Sequence, residues 1–451
     1  MYYTTRVVLR VKNFDAIIVG GGLAGLSSGL ELTSRGKSVL LLEQESVVGG
    51  RTSSYNLEGM DVESGFHRYI GYYTYLPKVL RKAGVDLSDI FMWEEKIHVR
   101  INDEKPLVLG MAPLLGMIKT IKGVVGNQKY LSLKDKWSLL SFFMNGLKDY
   151  VKKPGKMDHY SIKEYAAKHG VTDRAFHYLI VPLSSGIFFL PPDRYSAYVF
   201  FGLLAPALPR FYRMRIGAYL GGMTETMCQP IAEQIIKNGG TVQTDAKVQS
   251  LVVEDGKVKG VQMEDGEIYR ANHTILAVTL YAAKQLLKPA FEKHNWFQPM
   301  FQLPLMPAVS FQIEMTEPAL PIDVTTFAPF TCLSSFAEQS RTTFRASRGR
   351  LSIILSPPEK FLRLAPEETL KLVLEDAQKI GLDLEGKILS YRQVNHEYDF
   401  HSLEPGCQSL RPTQKTPVEG LILAGDYTRQ PYFATMEGAT LSGLKAASFI
   451  Q

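Results

Sequence analysis

DAIIVGGGLAGLSSGLELTSRGKSVLLLE, residues 15–43, is the stretch on which the fold turns. Asp15 to Val19 is a short apolar, β-branched run closed by Gly20, Gly21 and Gly22. From Leu23 to Arg35 the apolar residues recur at helical spacing, Gly36 marks a helix stop, and Lys37 to Leu42 is a second apolar run. Strand, glycine turn, helix and strand make one βαβ unit with a parallel pair, so an α/β doubly wound sheet is expected at the N-terminus. Within the turn, Gly20, Gly22 and Gly25 satisfy GxGxxG. Gly20 makes the turn, Gly22 lets backbone approach a pyrophosphate, and Gly25 lets helix pack on strand. The unpaired amides of the helix start, around Leu23 and Ala24, offer partial positive charge to an anion. Glu43 ends the second strand eighteen residues past Gly25, where a carboxylate accepts ribose hydroxyls of an adenine dinucleotide and repels a 2′-phosphate.

That fingerprint is shared by FAD and NAD sites, and the residues after Glu43 separate them. Gly49, Gly50, Arg51 and Thr52 put two small residues and a fixed cation beside the same pyrophosphate. With this stretch the sequence resembles the FAD-containing amine oxidase and phytoene desaturase superfamily. Near the C-terminus, Arg411-Pro412, Gln414, Pro417 and Gly420 precede LAGDYTRQ (423–430) and MEGATLSG (436–443). This tail is similar to that of plant-type phytoene desaturases and relatives such as hydroxysqualene dehydroxylase-like proteins. The resemblance is strong over about the first 75 and last 50 residues, moderate over 221–278 and thin elsewhere.

The resemblance implies FAD as cofactor. It implies that Gly425 and Asp426 lie at the flavin ribityl or phosphate-proximal oxygens, and that the backbone of Met436, Glu437 and Ala439 meets the pyrimidine edge of the ring. A helix start near Met436 suits that edge physically, because two-electron reduction leaves negative charge there. Gly438, being small, is expected to let backbone and ring touch. Val248, in TDAKVQSL, resembles the strand residue whose backbone faces the adenine. His67, in ESGFHRYIG, resembles a segment passing near the flavin; it is a candidate for a catalytic role, although a lone histidine in an apolar setting is more often structural. His396 and His401, five apart, do not share a helical face, and no metal is expected.

The rest of the chain bounds this reading. At 451 residues, 45% hydrophobic and 21% charged, it is an ordinary folded protein of several domains. Cys228, Cys332 and Cys407 lie too far apart for a zinc or redox pair, which favours a reducing, cytoplasmic setting. Residues 1–13 are too short for a signal-peptide core, and no continuous apolar run of about 20 residues suits a membrane span. The net charge of +6 is concentrated between Lys119 and Lys153, where eight lysines face two aspartates. Beside and within that segment lie LVLGMAPLLGMI (107–118) and WSLLSFFMNGL (137–147), read as apolar helical stripes. Lysines alternating with such stripes fit a helix on an anionic membrane surface, and equally a solvated face over a core. Nucleic acid is not an expected partner.

Two interleaved domains are expected: a Rossmann-like FAD-binding domain from 1–100, 215–285 and 385–451, and a mixed α+β substrate and membrane-docking domain from 101–214 and 286–384. The segment from Phe176 to Tyr212 holds ten aromatic residues, among them Phe188, Phe189, Phe211 and Tyr212, either walling a long apolar tunnel or packing a core. Three readings compete. The leading one is a flavin enzyme dehydrogenating a polyisoprenoid, with a quinone or similar acceptor. The second is a flavin amine oxidase on a small amine, disfavoured by Thr435 where such enzymes place an aromatic residue, although Tyr432 and Phe433 are near. The third is a non-enzymatic prenyl-binding relative, opposed by Glu43, Arg51 and Asp426 occurring together.

Overall fold

The computed structural model describes residues 13–94, 96–104, 106–110, 131–188, 190–213 and 215–451. The N-terminal unit forms as the pattern predicts. Asn13–Val19 and Val39–Leu42 pair in parallel around the helix Leu23–Thr33. Ala16 to Val19 are buried, as a strand covered on both faces must be. Thr241–Gln243 extends the sheet in parallel beyond Val39–Leu42. On the other side Ile268–Leu276 pairs in parallel with Asn13–Val19, and Leu421–Leu423 in parallel with Ile268–Leu276. Val248–Glu254, Lys257–Met263 and Ile268–Leu276 run antiparallel as a ribbon. Asp255 and Gly256 turn the first hairpin with positive φ at both residues (49° and 73°), the geometry that a two-residue hairpin favours.

The C-terminal helix, Met436–Ser448, packs against Leu23–Thr33 and so brings the two ends of the described chain together. Their crossing is backbone-close. A Cβ on Gly443 would sit 2.1 Å from the Ala24 carbonyl oxygen, and the Ser28 hydroxyl donates to the Gly443 carbonyl at 3.0 Å.

A second, mostly antiparallel sheet runs in the order Ile388–His401, Leu305–Met315, Gly349–Leu355, Leu333–Glu338, Thr326–Phe327, Lys96–Val99, Leu107–Gly110. Its period-two pattern makes two unlike faces. Val309, Phe311, Ile313, Met315, Leu351 and Ile353 turn to one side and pack with Val373 and Ala377 of the helix Pro366–Lys379. On the alternate positions lie small or polar residues, among them Ala308, Ser310, Ser335 and Ser352, which leave room on the other side. A helical layer, Leu133–Lys152, Ile162–Lys168, Val181–Phe188 and Ala197–Leu204, covers that side with its own core around Phe142, Tyr165, Phe200 and Phe201. Ser132 with Asp135, and Ser161 with Glu164, cap two of these helices reciprocally.

The structure draws the division between the two sheets differently from the sequence in three places. Lys96–Val99 and Ile388–His401 hydrogen-bond in the second sheet rather than the first; the latter pairs along almost all of Leu305–Met315. The helix Leu280–Phe291, with Phe297, Met300 and Leu303 after it, packs in the core of the first sheet. Composition marks a strand but not its partner, and it is the partner that assigns the strand to a sheet. Leu107–Gly110 is a strand, not the start of an apolar helix, and 111–130, with three of the eight lysines, lies outside the described residues. So do residues 1–12, Phe189, and the side chains of Phe211 and Tyr212. No helix among the described residues is long and apolar enough to cross a membrane.

Gly443→Val is expected to lower stability by about 2 kcal/mol, because the added side chain has only the Ala24 carbonyl to press against. A shifted urea midpoint with an unchanged denaturant slope is the measurement.

Candidate active site

The site begins where the two glycine turns meet. Gly22 and Gly49 form an isolated parallel bridge, and the Gly49 amide donates to the Gly21 carbonyl at 2.9 Å. Gly20 (φ 103°) leaves no space on its far side, since a Cβ there would lie 2.7 Å from the Ala277 carbonyl. A Cβ on Gly25 would meet the Gly20 carbonyl at 1.9 Å, so the helix starts directly upon the turn. Gly22 differs: a Cβ there would have nothing nearer than 3.8 Å. The open side of Gly22 is thus where a bound group can touch backbone. Behind it the helix Leu23–Thr33 begins with no side-chain cap and no acidic residue in its first turn, leaving its first amides and their partial positive charge to a ligand. These are the features that a dinucleotide pyrophosphate requires.

One continuous cavity of about 2240 Å³ runs from this cradle into the helical layer. Of the residues singled out in the sequence, Gly20, Gly22, Leu23, Ala24, Glu43, Gly49, Gly50, Arg51, Thr52, His67, Val248, Gly425, Asp426, Met436 and Ala439 are in its wall. Gly25 and Glu437 are not. Gly25 acts beneath the surface, as a spacer. Glu437 is fully buried and turned away: its carboxylate accepts the backbone N–H groups of Thr74, Tyr75 and Leu76, capping the helix Leu76–Lys82. Gly438 is small for a different reason from the one expected, because a Cβ there would press on the Tyr432 carbonyl at 2.1 Å within its own loop.

Glu43 is almost wholly buried, and burial pushes its carboxyl upward, against the pull of the Glu45 and Gly21 amides, which donate at 3.0 and 2.6 Å. Each oxygen keeps a lone pair for a further donor. Arg51, placed in the sequence against phosphate, pairs here with Asp426 (Nη2 to Oδ1, 2.6 Å) and lies over the Phe400 ring. Burial raises the Asp426 carboxyl, but Arg51, followed by His401 and Arg411, outweighs it and holds the group below the ordinary range. The ion pair ties Gly50–Thr52 to the loop after Leu421–Leu423, across 375 residues of sequence.

At the start of Met436–Ser448, the Thr435 hydroxyl accepts from the Gly438 amide at 3.1 Å, and the Tyr219 hydroxyl donates to the Met436 Sδ at 3.3 Å. His67 lines the cavity. Burial lowers it to about 4, and its Nδ1 donates to the Gly65 carbonyl at 2.8 Å, so at neutral pH it is an uncharged ring with one nitrogen already committed.

Two wall residues, His396 and Arg68, and the buried His401 behind the wall carried no signal in the sequence. His396 reaches Asp399 at 2.7 Å and the Ser64 carbonyl at 2.6 Å. His401 lies buried 3.9 Å from Asp426. Arg68 bridges Glu94 and Asp323. Only the spacing of His396 from His401 drew notice, and that spacing says nothing of what folds against them. Beyond His67 the wall turns aliphatic and aromatic, with Leu179, Leu183, Phe188, Leu203, Met306 and Phe327. Of the described aromatic residues in 176–212, Phe188 lines the cavity and also packs in the core, while Phe200 and Phe201 only pack.

A family model described as flavin containing amine oxidoreductase matches residues 23–450. Among curated proteins the chain is 28% identical to a 15-cis-phytoene desaturase, chloroplastic/chromoplastic, of Solanum lycopersicum, covering 97% of this chain and 78% of the relative. It is 26% identical to the 15-cis-phytoene desaturase of Synechococcus elongatus, over 96% and 95%, and 25% identical to a zeta-carotene desaturase of Arabidopsis thaliana, over 96% and 84%. Among solved structures, a putrescine oxidase bound to putrescine superimposes with a TM-score of 0.77 at 16% identity, over 97% of this chain and 99% of the other. An oxidoreductase from Methanosarcina mazei gives 0.75 at 19%, over 96% and 99%. The last two establish likeness of fold.

Glu43→Gln keeps the shape of the side chain and removes its charge. Dinucleotide affinity, followed by equilibrium dialysis, is expected to fall about tenfold. In the parent protein affinity should drop on acidification through a midpoint above 4.5, the ordinary glutamate value, because protonation turns an acceptor oxygen into a donor; the variant should show no such step.

Proposed function

This chain is an oxidoreductase of the flavin-containing amine oxidoreductase family, and from that premise we propose that it binds FAD and desaturates a polyisoprenoid lipid taken up from a membrane surface. The observation that carries the reading is the continuity of one cavity from the glycine cradle to a long apolar arm. Glu43 is fitted to the ribose, Gly22 and the start of Leu23–Thr33 to the pyrophosphate, and the first turn of Met436–Ser448 to the pyrimidine edge. When bound, the flavin supplies a two-electron acceptor for hydride from carbon. The protein's own part is to hold a C–H bond in reach and keep water away. Its apolar arm is suited to both tasks, and it needs no acid–base pair for them.

A small amine fits less well. Tyr432 and Phe433 point out of the cavity: Phe433 packs on Gly202 beneath the Arg411 guanidinium, and Tyr432 meets Tyr75 edge-on. The three desaturase relatives act, by their names, on phytoene and zeta-carotene, in line with an isoprenoid substrate.

The membrane part rests on Leu133–Lys152. Leu133, Trp137, Leu140, Met144 and Val151 are more than half exposed and recur at helical spacing, and Leu133, Trp137 and Leu140 also line the cavity. Lys134, Lys148 and Lys152 sit on the same helix. An apolar stripe with lysines beside it, at the mouth of an apolar cavity, suits an anionic bilayer from which a lipid passes inward. Electrons then leave to a quinone or similar acceptor.

Purified protein is expected to show a flavin band that bleaches anaerobically with extracted isoprenoid lipids and returns with quinone. Bleaching with small amines alone, or a colourless protein that takes up no flavin, overturns the reading. Trp137→Glu is expected to reduce sedimentation with phosphatidylglycerol vesicles about tenfold while leaving the flavin spectrum unchanged.

A further inference from the structure

We infer that Tyr281 and Tyr398 form a clasp at the cofactor cradle, a pair of rings that must part for the dinucleotide to enter or leave. This rests on the FAD reading above and adds how the cofactor is retained. Both rings are in the cavity wall and both are exposed, Tyr281 at 39% and Tyr398 at 45%. They come from elements of different sheets: Leu280–Phe291 packs in the core of the first, and Ile388–His401 is an edge strand of the second. Their centroids lie 5.0 Å apart with the planes 20° from parallel, an offset stack.

Each tyrosine is tied to the cradle through its own element. Tyr281 is three residues past Val278, whose side chain would lie 3.1 Å from a Cβ on Gly20 and whose carbonyl would lie 3.4 Å from one on Gly425. Tyr398 is two residues before Phe400, the ring beneath the Arg51 guanidinium, and Arg51 in turn pairs with Asp426. The contacts therefore form a circuit. It runs from Gly425 to Val278, along the helix start to Tyr281, and across to Tyr398. From there it follows the strand to Phe400 and returns through Arg51 to Asp426, the neighbour of Gly425. Every residue named in the circuit lines the cavity.

The links differ in how readily they open. Val278 and Gly425 meet at backbone, and the Arg51–Asp426 pair has its carboxylate buried. The tyrosine stack has water on both partners, and the Tyr398 hydroxyl donates to its neighbour Glu397 at 2.6 Å rather than across the pair. Such a contact yields to side-chain rotation without disturbing either sheet. A contact intact in the empty and in the loaded protein, and broken only during passage, raises the barrier equally in both directions and leaves affinity unchanged.

The test measures FAD exchange in the full chain: entry by stopped-flow quenching of flavin fluorescence on mixing FAD with apoprotein, release by timed desalting of the loaded protein. Tyr281→Ala and Tyr398→Ala are each expected to speed entry and release about fivefold, with the dissociation constant and thermal midpoint unchanged. The double variant should be no faster than either single one, because one contact is lost in all three. Tyr398→Phe keeps the stack and should keep the parent rates. Unchanged rates in the alanine variants, faster release without faster entry, additive effects, or Tyr398→Phe behaving as Tyr398→Ala overturns the inference while the FAD reading stands. A parent protein that takes up no FAD overturns the FAD reading itself, and the inference with it.

Discussion

Everything around the glycine cradle depends on one close approach, the α-carbon of Gly25 against the carbonyl of Gly20. With 1.9 Å between that oxygen and any added Cβ, the helix Leu23–Thr33 has a single place to begin, and its free amides a single direction to point. From that anchor the second glycine turn is laid alongside by the Gly22–Gly49 bridge, and the C-terminal helix is drawn in until Gly443 touches the Ala24 carbonyl. Backbone groups rather than side chains do the positioning. They are the part of a protein that loses least geometry to thermal motion and substitution, which suits a site whose shape must stay fixed.

The cavity is divided electrically as well as in shape. Its cradle end gathers Glu43, Arg51, Asp399 and Asp426 with their partners, a polar surface. The other end is apolar apart from Arg68, Lys136 and a few hydroxyl or ring groups. Charge in the first half is paired at hydrogen-bond distance, so burial is tolerated; charge in the second half is scarce, so an apolar group would meet little to desolvate there. His67, a wall residue uncharged at neutral pH, adds no net charge of its own.

The second sheet is what gives the apolar half of the cavity its room. Its strands alternate large apolar with small or polar residues, and only the large face is packed by a helix of its own. Serines and alanines on the other face leave a floor on which the helical layer rests without filling the space. The sequence shows that alternation, but not which face becomes cavity, because both faces read as buried.

The sequence alone determined the βαβ unit, the two glycine turns, Glu43, and the tail segments around Asp426 and Met436. Those signals are local: a turn, a helix start or a strand end is specified by neighbouring residues, and the structure keeps each where the pattern put it. What the tertiary structure decided was everything set by distant partners. It turned Glu437 away to cap another helix, gave Gly438 to its own loop, paired Arg51 with Asp426, moved Ile388–His401 into the second sheet, and assembled Arg68 with Glu94 and Asp323. A side chain's type limits the bonds it can make, while which bond it makes depends on what the rest of the chain folds against it, and no spacing along the sequence records that.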